Sequence, residues 1–309
     1  MKLCGGVQVV AAGAECALAI GFFDGVHVGH QEIIRRLVEY SRQQRLKSLV
    51  LTFDPHPLEV LSPKRKVERI TTLEKRVELL RGLGVDLVCV REFDQQLGSM
   101  TPEGFVDQVV AGELNAAAVF VGFNFTFGCG AAGTARDLMR LCSSKGISVH
   151  VVEPVVADGQ VVSSSLVRDL IKRGQMDCAE KFLGRPFSVE ARVEEGDGRG
   201  RTIGFPTANL IWPEGITMPR RGVYAVEVMV SGGKWLGVAN FGPRPTFRSN
   251  AELLEVHVLG FSGWLYGTPV EVRFKKWLRP QRAFADAGAL ARQIQHDIAV
   301  VNKLYSSSS

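Results

Sequence analysis

The sequence predicts an α/β domain built on a parallel sheet, followed by a small antiparallel β-barrel domain with a helix at its carboxyl end. Up to about residue 184, buried apolar runs alternate with helical patterns, which is typical of βαβ units with helices on both faces of the sheet. Beyond it, short alternating segments separated by glycine follow one another, as in a small barrel. We therefore expect domains at residues 1–183 and 184–309.

Five apolar runs are expected to form the parallel strands of the first domain. They are ALAIGF (17–22), SLVLTF (48–53), DLVCV (86–90), AAVFVG (117–122) and SVHVV (148–152). Helices are predicted between them, over residues 31–45 and 134–144. Two further helices are predicted from their first residues, one from a capping box of Thr71 and Glu74 and one from Thr101 followed by proline.

Five segments of the second half are expected to be barrel strands. They are SVEARV (188–193), VYAVEVMV (223–230), WLGVANF (235–241), LLEVHVLGF (253–261) and VEVRF (270–274). The turn SGGK (231–234) should join two of them as a hairpin. The apolar face formed by Leu290, Ile294, Ile298 and Val301 predicts the final helix.

Composition restricts the class of protein. The net charge of +5 suits anionic small molecules such as nucleotides but is too small to indicate nucleic-acid binding. The six cysteines are scattered without a CxxC pair, which favours reduced thiols and a cytoplasmic protein. No apolar run reaches the roughly 18 residues of a membrane span.

The densest motif is GFFDGVHVGH (21–30), where the first strand turns into a helix. A helix that starts there points its free N–H groups over the carboxyl edge of the sheet, where phosphates bind. Gly21, Gly25 and Gly29 allow the backbone to bend and a nucleotide to approach. His27 and His30 can then both donate hydrogen bonds to one phosphate.

Taken alone, two histidines three residues apart also fit a glycine-rich turn whose imidazoles face solvent. A zinc site would need further ligands, and no cluster of cysteine or histidine supplies them. Three other stretches follow predicted strands of the same domain. They are TFDPHP (52–57), VGFNFTFGCGAAG (121–133) and VSSSLVR (162–168).

Together these stretches resemble the HxGH nucleotidylyltransferase superfamily and, in full, the amino-terminal module of the bacterial bifunctional riboflavin kinase/FAD synthetase family. The resemblance implies a Rossmann-like fold that joins FMN to the AMP part of ATP. It implies catalytic roles for His27, His30 and Arg168. The residues implied to bind ATP are Gly21, Phe23, Asp24, Gly25, Gly29, Ser163, Ser164 and Ser165, and those implied to bind flavin are Asp54, His56, Asn124 and Phe125.

Some positions depart from that family's pattern. Phe22 stands where many members have asparagine, and Thr126 where many have arginine. Ser165 replaces a threonine, and Ala283 lies where a basic residue is common. These departures affect the details of the flavin and nucleotide contacts and leave the reaction class unchanged.

The second domain carries GDGRGRTIGFPTANL (196–210). It is not a dinucleotide fingerprint, since strands flank it and no helix follows, and no P-loop motif occurs in the chain. GFPTAN resembles the riboflavin kinase signature, and the resemblance continues in NFGPRPTF (240–247), LEVH (254–257) and LRPQRAF (278–284). The resemblance thus covers nearly the whole chain.

The resemblance to riboflavin kinases implies roles in phosphoryl transfer. Thr207 and Asn209 offer neutral oxygens suited to Mg²⁺ shared with ATP, and the family uses them so. Glu255 is the implied general base, on the strand face opposite Leu254 and Val256. The residues implied to bind ATP are Gly198, Gly200, Gly204, Phe205, Pro206 and Thr207, and those implied to bind flavin are Arg279 and Phe284.

The leading hypothesis is an enzyme that phosphorylates riboflavin to FMN and adenylylates FMN to FAD with release of pyrophosphate. Its expected partners are riboflavin, FMN, FAD and ATP with Mg²⁺, without nucleic acid or membrane, and a weak homo-oligomer stays open. One alternative keeps nucleotidyl transfer but changes the acceptor to another phosphorylated compound. Another is a barrel that binds single-stranded RNA through basic stretches at residues 64–66, 199–201 and 220–221.

Overall fold

The computed structural model describes residues 2–3, 15–62, 64, 66–195, 200, 203–230, 232–243 and 252–306. Several residues of the motifs and basic stretches above lie outside the described residues: 65, 196–199, 201–202, 231 and 244–247, with Gly198 among them. Contacts divide the chain into two compact units, Met1–Ser164 and Ser165–Ser309. The domain boundary after residue 183 stays a prediction.

The first unit contains the predicted parallel sheet. Its strands and short hairpins are β1 (Lys2–Leu3), β2 (Cys16–Ile20), β3 (Lys47–Asp54), β4 (Leu87–Glu92), β5 (Ala116–Gly122), β6 (Thr126–Phe127), β7 (Gly133–Thr134), β8 (Ser148–Val152), β9 (Val156–Ala157) and β10 (Gln160–Val161). The main sheet has the order β1-β4-β3-β2-β5-β8, and every pair is parallel except β1–β4. The five predicted strands are confirmed. They could be predicted because a buried apolar run of five to eight residues between two helices is typical of a strand in a parallel sheet.

Helices cover both faces of this sheet. They are α1 (Val28–Gln44), α2 (Pro57–Leu61), α3 (Leu73–Gly82), α4 (Gln95–Gly98), α5 (Pro102–Gly104), which continues as a π-helical segment (Phe105–Glu113), and α6 (Ala135–Ser143). Leu18 and Leu51 pack on one side against the π-helical segment and α6. Ala19 and Val50 pack on the other side against α1 and α3.

The predicted capping box of Thr71 and Glu74 is wrong by one residue. Thr72 caps α3, and its side chain accepts a hydrogen bond from the backbone N–H of Lys75. Thr71 is buried instead, and its hydroxyl oxygen accepts the N–H of Gly25 at 3.3 Å. In the sequence, either of the two adjacent threonines could cap the helix. The hydrogen bond from Gly25 engages the hydroxyl of Thr71, and Thr72 is the residue that caps α3.

The second unit contains the predicted barrel, which is closed and antiparallel throughout. Its strands are β11 (Phe187–Glu194), β12 (Ala208–Ile211), β13 (Gly222–Val230), β14 (Gly233–Pro243), β15 (Glu252–Val258) and β16 (Pro269–Arg279). They close in the order β11-β12-β15-β14-β13-β16. β12 was not predicted as a separate strand. The interior is aromatic, with Phe187, Trp212, Tyr224, Phe241 and Phe274 in ring contact with one another.

Three helices belong with the barrel strands along the chain: α7 (Ser164–Lys172), α8 (Met176–Leu183) and α9 (Ala287–Ser306). α9 is the predicted final helix, and Val301 on its apolar face is fully buried. Asp297 of α9 is 3% exposed and pairs with the guanidinium of Arg279, with an Nη2–Oδ2 distance of 2.8 Å. This ion pair links α9 to the last residue of β16.

Candidate active sites

The histidine motif forms a tight turn between β2 and α1. Phe23 adopts a left-handed backbone conformation with φ of 56°, and a 3₁₀ turn over Asp24–Val26 follows. His27 then caps α1, and its Nδ1 accepts the N–H of His30 at 3.3 Å. The two imidazoles stack with ring centroids 3.6 Å apart. The sequence therefore places both rings together at a helix N-terminus on the carboxyl edge of the sheet.

Gly25 and Gly29 are required for close approaches in this turn. A Cβ on Gly29 would lie 3.2 Å from ring atoms of His27. Gly25 has φ of +73°, and a Cβ there would lie 2.8 Å from the Ile70 side chain. Both contacts are tighter than side chains normally tolerate, so these glycines serve packing of the turn as well as access to it.

Asp24 has a structural task that the sequence did not predict. It is 4% exposed, and its Oδ1 accepts the N–H groups of Ile70 and Thr71 at 2.8 and 3.4 Å. The hydroxyl of Ser164 donates to the Asp24 carbonyl oxygen at 3.1 Å, which brings the first residue of α7 to the histidine turn. Asp24 thus joins segments that are distant in sequence, and its contact with ATP stays a prediction.

His30 lies in an unusual electrostatic environment. Its Nδ1 is buried and has no hydrogen-bond partner among the described residues. Burial, followed by the positive charges of His27 and Arg76, holds the pKa of His30 well below its usual value. His30 is therefore a neutral imidazole near neutral pH, which can donate one hydrogen bond and accept another.

Arg76 is a residue of this site that sequence reasoning missed. It is 2% exposed, and its Nη1 and Nη2 donate to the carbonyl oxygens of Phe22 and Phe53 at 3.0 and 2.9 Å. Its guanidinium also lies 4.1 Å from the centre of the Phe22 ring. Burial lowers the pKa of Arg76 to about 10, so it stays charged. Arg76 thus ties together the ends of β2 and β3, from which the two motif loops begin.

We expect Arg76→Met to loosen this edge of the sheet, because the Phe53 carbonyl loses its charged donor. Hydrogen exchange of peptides from β2 and β3 should report an opening free energy lower by about 2–3 kcal/mol. Arg81→Met, which changes an exposed arginine of the same helix, is the matched control. Equal protection in the two variants would contradict the role given to Arg76.

The TFDPHP loop lies beside the histidine turn. His56 caps α2, and its Nδ1 accepts the N–H of Leu58 at 3.1 Å. The centres of the His56 and Phe22 rings lie 4.2 Å apart. The backbone carbonyl oxygen of Phe22 accepts a hydrogen bond from Arg76. Asp54 is partly exposed and lies 3.7 Å from Arg69. The structure therefore joins His56 to the histidine turn through Phe22, one of the departures from the family pattern.

The remaining predicted residues of this site lie after β5 and around the start of α7. Asn124 is exposed in the turn after β5, and Phe125 stacks on Phe127 with ring centroids 5.6 Å apart. Ser163 is half-buried immediately before α7. Within α7, the Arg168 guanidinium donates to the Ser165 hydroxyl oxygen at 3.2 Å. Their contacts with ATP or flavin stay predictions.

Two of the predicted kinase residues, Asn209 and Glu255, form a row on the outer face of the barrel together with Asn240. Asn209 of β12 and Asn240 of β14 are the direct neighbours of Glu255 on either side of β15. Leu254 and Val256 are buried in the interior, so the alternation predicted for β15 is confirmed. The carboxylate of Glu255 thus lies between two amide side chains.

A chain of hydrogen bonds orients Glu255, and the sequence did not reveal it. Asn240 Nδ2 donates to Glu255 Oε2 at 3.0 Å, and Gln281 Nε2 donates to Asn240 Oδ1 at 2.8 Å. A Cβ on Gly242 would lie 2.5 Å from the Gln281 amide, so the glycine leaves room for it. Both amides occur in segments that resemble the kinase family, but pairing across strands is not visible in a linear pattern.

The GFPT loop is a tight turn beside this row. The Phe205 N–H donates to the Gly200 carbonyl oxygen at 2.8 Å, and Gly204 has φ of +86°. A Cβ on Gly200 would lie 2.3 Å from the Phe205 carbonyl oxygen and 3.4 Å from Thr207 Oγ1. Only glycine fits there, because any side chain would collide with the Phe205 carbonyl oxygen.

The donor atoms of this row fit a cation that arrives with a nucleotide. Among the described residues, no group of three or more His, Cys, Asp or Glu side chains could hold a metal ion. Thr207 and Asn209 supply neutral oxygens, which suit Mg²⁺ when phosphates and water complete its shell.

Arg279 and Phe284 were predicted near the flavin. The Arg279 guanidinium is engaged with Asp297 and lies 5.8 Å from the centre of the Phe284 ring. This pairing anchors α9, and a flavin contact of either residue stays a prediction.

In the described part of the chain no helix has the length and apolar character that crossing a membrane requires.

Comparison with known proteins supports the same two activities. The family model described as FAD synthetase matches residues 10–166, and that described as riboflavin kinase matches residues 183–305. The curated bifunctional riboflavin kinase/FMN adenylyltransferase of Listeria monocytogenes is 38% identical over 91% of this chain and 89% of its own length. The protein of the same name from Escherichia coli is 36% identical over 96% of each chain.

A solved structure also matches over nearly the full length. It is described as a macrolide-efflux protein from Streptococcus pneumoniae, and it aligns with a TM-score of 0.87 and 31% identity over 94% of each chain. The two family models together match both halves of the chain, and the curated relatives match it over most of its length. The chain therefore belongs to the bifunctional riboflavin kinase/FMN adenylyltransferase family.

Proposed function

We propose that the two reactions of this family are divided between the two units. The barrel phosphorylates riboflavin to FMN, and the parallel-sheet unit adenylylates FMN to FAD with release of pyrophosphate. The observation that carries this division is the presence of two separate sets of groups, a stacked imidazole pair at a helix N-terminus and a carboxylate bonded to the Asn240 amide on a barrel. They suit different chemistry, because one stabilises phosphate charge and the other removes a proton.

In adenylyl transfer, a phosphate oxygen of FMN attacks the α-phosphorus of ATP, and the bond to pyrophosphate breaks. No protein nucleophile is needed. His27, His30 and the N–H groups at the start of α1 donate hydrogen bonds to oxygens that gain charge in this step. Ser163 and Ser164 of the same unit offer hydroxyls to the departing pyrophosphate, and the roles of Ser165 and Arg168 stay what the resemblance implies.

In phosphoryl transfer, Glu255 accepts the proton of the riboflavin 5′-hydroxyl while that oxygen bonds to the γ-phosphorus of ATP and ADP leaves. Asn240 occupies Oε2 of Glu255, which leaves Oε1 for the hydroxyl. Thr207 and Asn209 would hold Mg²⁺, which supplies positive charge to the phosphates when bound. The loop of Gly200 and Gly204 would lie over the ATP phosphates.

The proposal is tested by incubating the purified full chain with riboflavin and MgATP and separating the flavins. FMN should appear first and FAD second, with one pyrophosphate released per FAD. A parallel reaction started from FMN should form FAD without riboflavin. If neither FMN nor FAD appeared, both assignments would fail. If pyrophosphate were released only with another phosphorylated acceptor, the alternative acceptor would replace FMN.

A further inference from the structure

His257 lies two residues beyond Glu255 on β15 and therefore shares its outward face. The residue between them, Val256, and the next one, Val258, are buried in the barrel interior. The antiparallel register pairs Ala208 with Val256. Continued by one residue, this register places Thr207 opposite His257. The imidazole is thus next to the GFPT loop rather than next to the row of amides.

The His257 side chain contacts this loop directly. Its Nδ1 lies 2.8 Å from the carbonyl oxygen of Pro206, and the Phe205 ring meets the imidazole edge-on with centroids 5.5 Å apart. A carbonyl oxygen can only accept, so the proton of the imidazole must be on Nδ1. The contact therefore fixes the tautomer of His257 as well as the position of the loop.

The bond to Pro206 also determines the position of Thr207. The Pro206 carbonyl belongs to the peptide unit that contains the Thr207 nitrogen, and a peptide unit is planar. Holding the carbonyl oxygen therefore fixes the plane from which the Thr207 side chain extends. A Cβ on Gly200 would lie 3.4 Å from Thr207 Oγ1, so the threonine hydroxyl lies near the turn that Gly200 and Phe205 close. The bond from His257 is thus a contact that orients the peptide unit between Pro206 and Thr207.

We propose that His257 is a positioning residue of the kinase, whose Nδ1–H donates to Pro206 and holds Thr207 in place to bind the cation that accompanies ATP. The inference rests on the proposed role of Thr207 and adds a residue that does not itself touch substrate. Glu255 removes the proton, and His257 sets the distance between that base and the phosphates.

The test compares two variants of the full chain. His257→Asn keeps a donor near the place of Nδ1, and His257→Leu keeps similar bulk without a donor. The Mg²⁺ dependence of riboflavin phosphorylation is measured at saturating ATP. We expect the leucine variant to need about three- to tenfold more Mg²⁺ for half-maximal rate, as one lost hydrogen bond implies. The asparagine variant should stay within twofold of the unchanged chain.

Two controls keep the outcome decisive. FMN adenylylation should be unchanged in both variants, and riboflavin binding without Mg²⁺, followed by flavin fluorescence, shows that the barrel is folded. An unchanged Mg²⁺ requirement in the leucine variant, or an equal shift in the asparagine variant, overturns the inference. Glu255→Gln, assayed alongside, tests the proposed function separately, because it should lower the rate at every Mg²⁺ concentration.

Discussion

His30→Ala should abolish FAD formation while FMN formation continues at the rate of the unchanged chain. Removing one preorganised donor to a charged transition state typically costs a factor of about 100 to 1000 in rate. Two further features indicate that His30 serves the adenylylation site. Its Nδ1 is buried without a partner in the described structure, and its ring stacks on that of His27. FAD formation from supplied FMN and MgATP measures the effect, and riboflavin phosphorylation in the same sample reports on the other unit.

A matched control separates loss of function from loss of structure. His150 lies on β8 of the same unit, where its ring stacks on Phe120. His150→Ala removes an imidazole from the same sheet and should leave FAD formation within a few-fold of the unchanged chain. If His30→Ala and His150→Ala lost FAD formation to a similar extent, removing either imidazole would disturb the unit as a whole. The role assigned to His30 would then be contradicted. Loss of both activities in His30→Ala would contradict separate sites.

The elements that sequence patterns predicted are those fixed by local rules. Period-two alternation located Glu255 on the face opposite Leu254 and Val256, and the pairing of β15 bears this out. Glycines and a strand end located the histidine turn, because a parallel strand must deliver its loop to the carboxyl edge of the sheet. In both cases, neighbouring residues in the chain carry the information.

The side chains that were missed are placed by contacts between distant segments. Arg76 reaches back to Phe22 and Phe53, and Gln281 reaches Asn240. An arginine in a helix pattern is ordinarily a solvated residue, so nothing nearby in sequence marks Arg76 as buried. Asp24 belongs to the same class, since its partners at Ile70 and Thr71 lie 46 and 47 residues away.

Glu255→Gln should stop FMN formation while FAD formation from supplied FMN is unchanged. The substitution keeps the size of the side chain and an oxygen that can accept the Asn240 amide, so the row on the barrel can remain assembled. It removes the group that takes the riboflavin hydroxyl proton, and general-base catalysis typically contributes about 100- to 10,000-fold. Riboflavin and MgATP followed by separation of the flavins gives the rate.

Glu190→Gln is the appropriate comparison, because Glu190 is an exposed glutamate on β11 of the same barrel that pairs with Glu271 of β16 rather than with the Glu255 row. It should phosphorylate riboflavin at the rate of the unchanged chain. The affinity for riboflavin should be nearly the same in both variants, since the proton is removed only during the reaction. A Glu255→Gln enzyme that kept its kcat but bound riboflavin poorly would show that the carboxylate holds the substrate instead of activating it, and another base would have to be found.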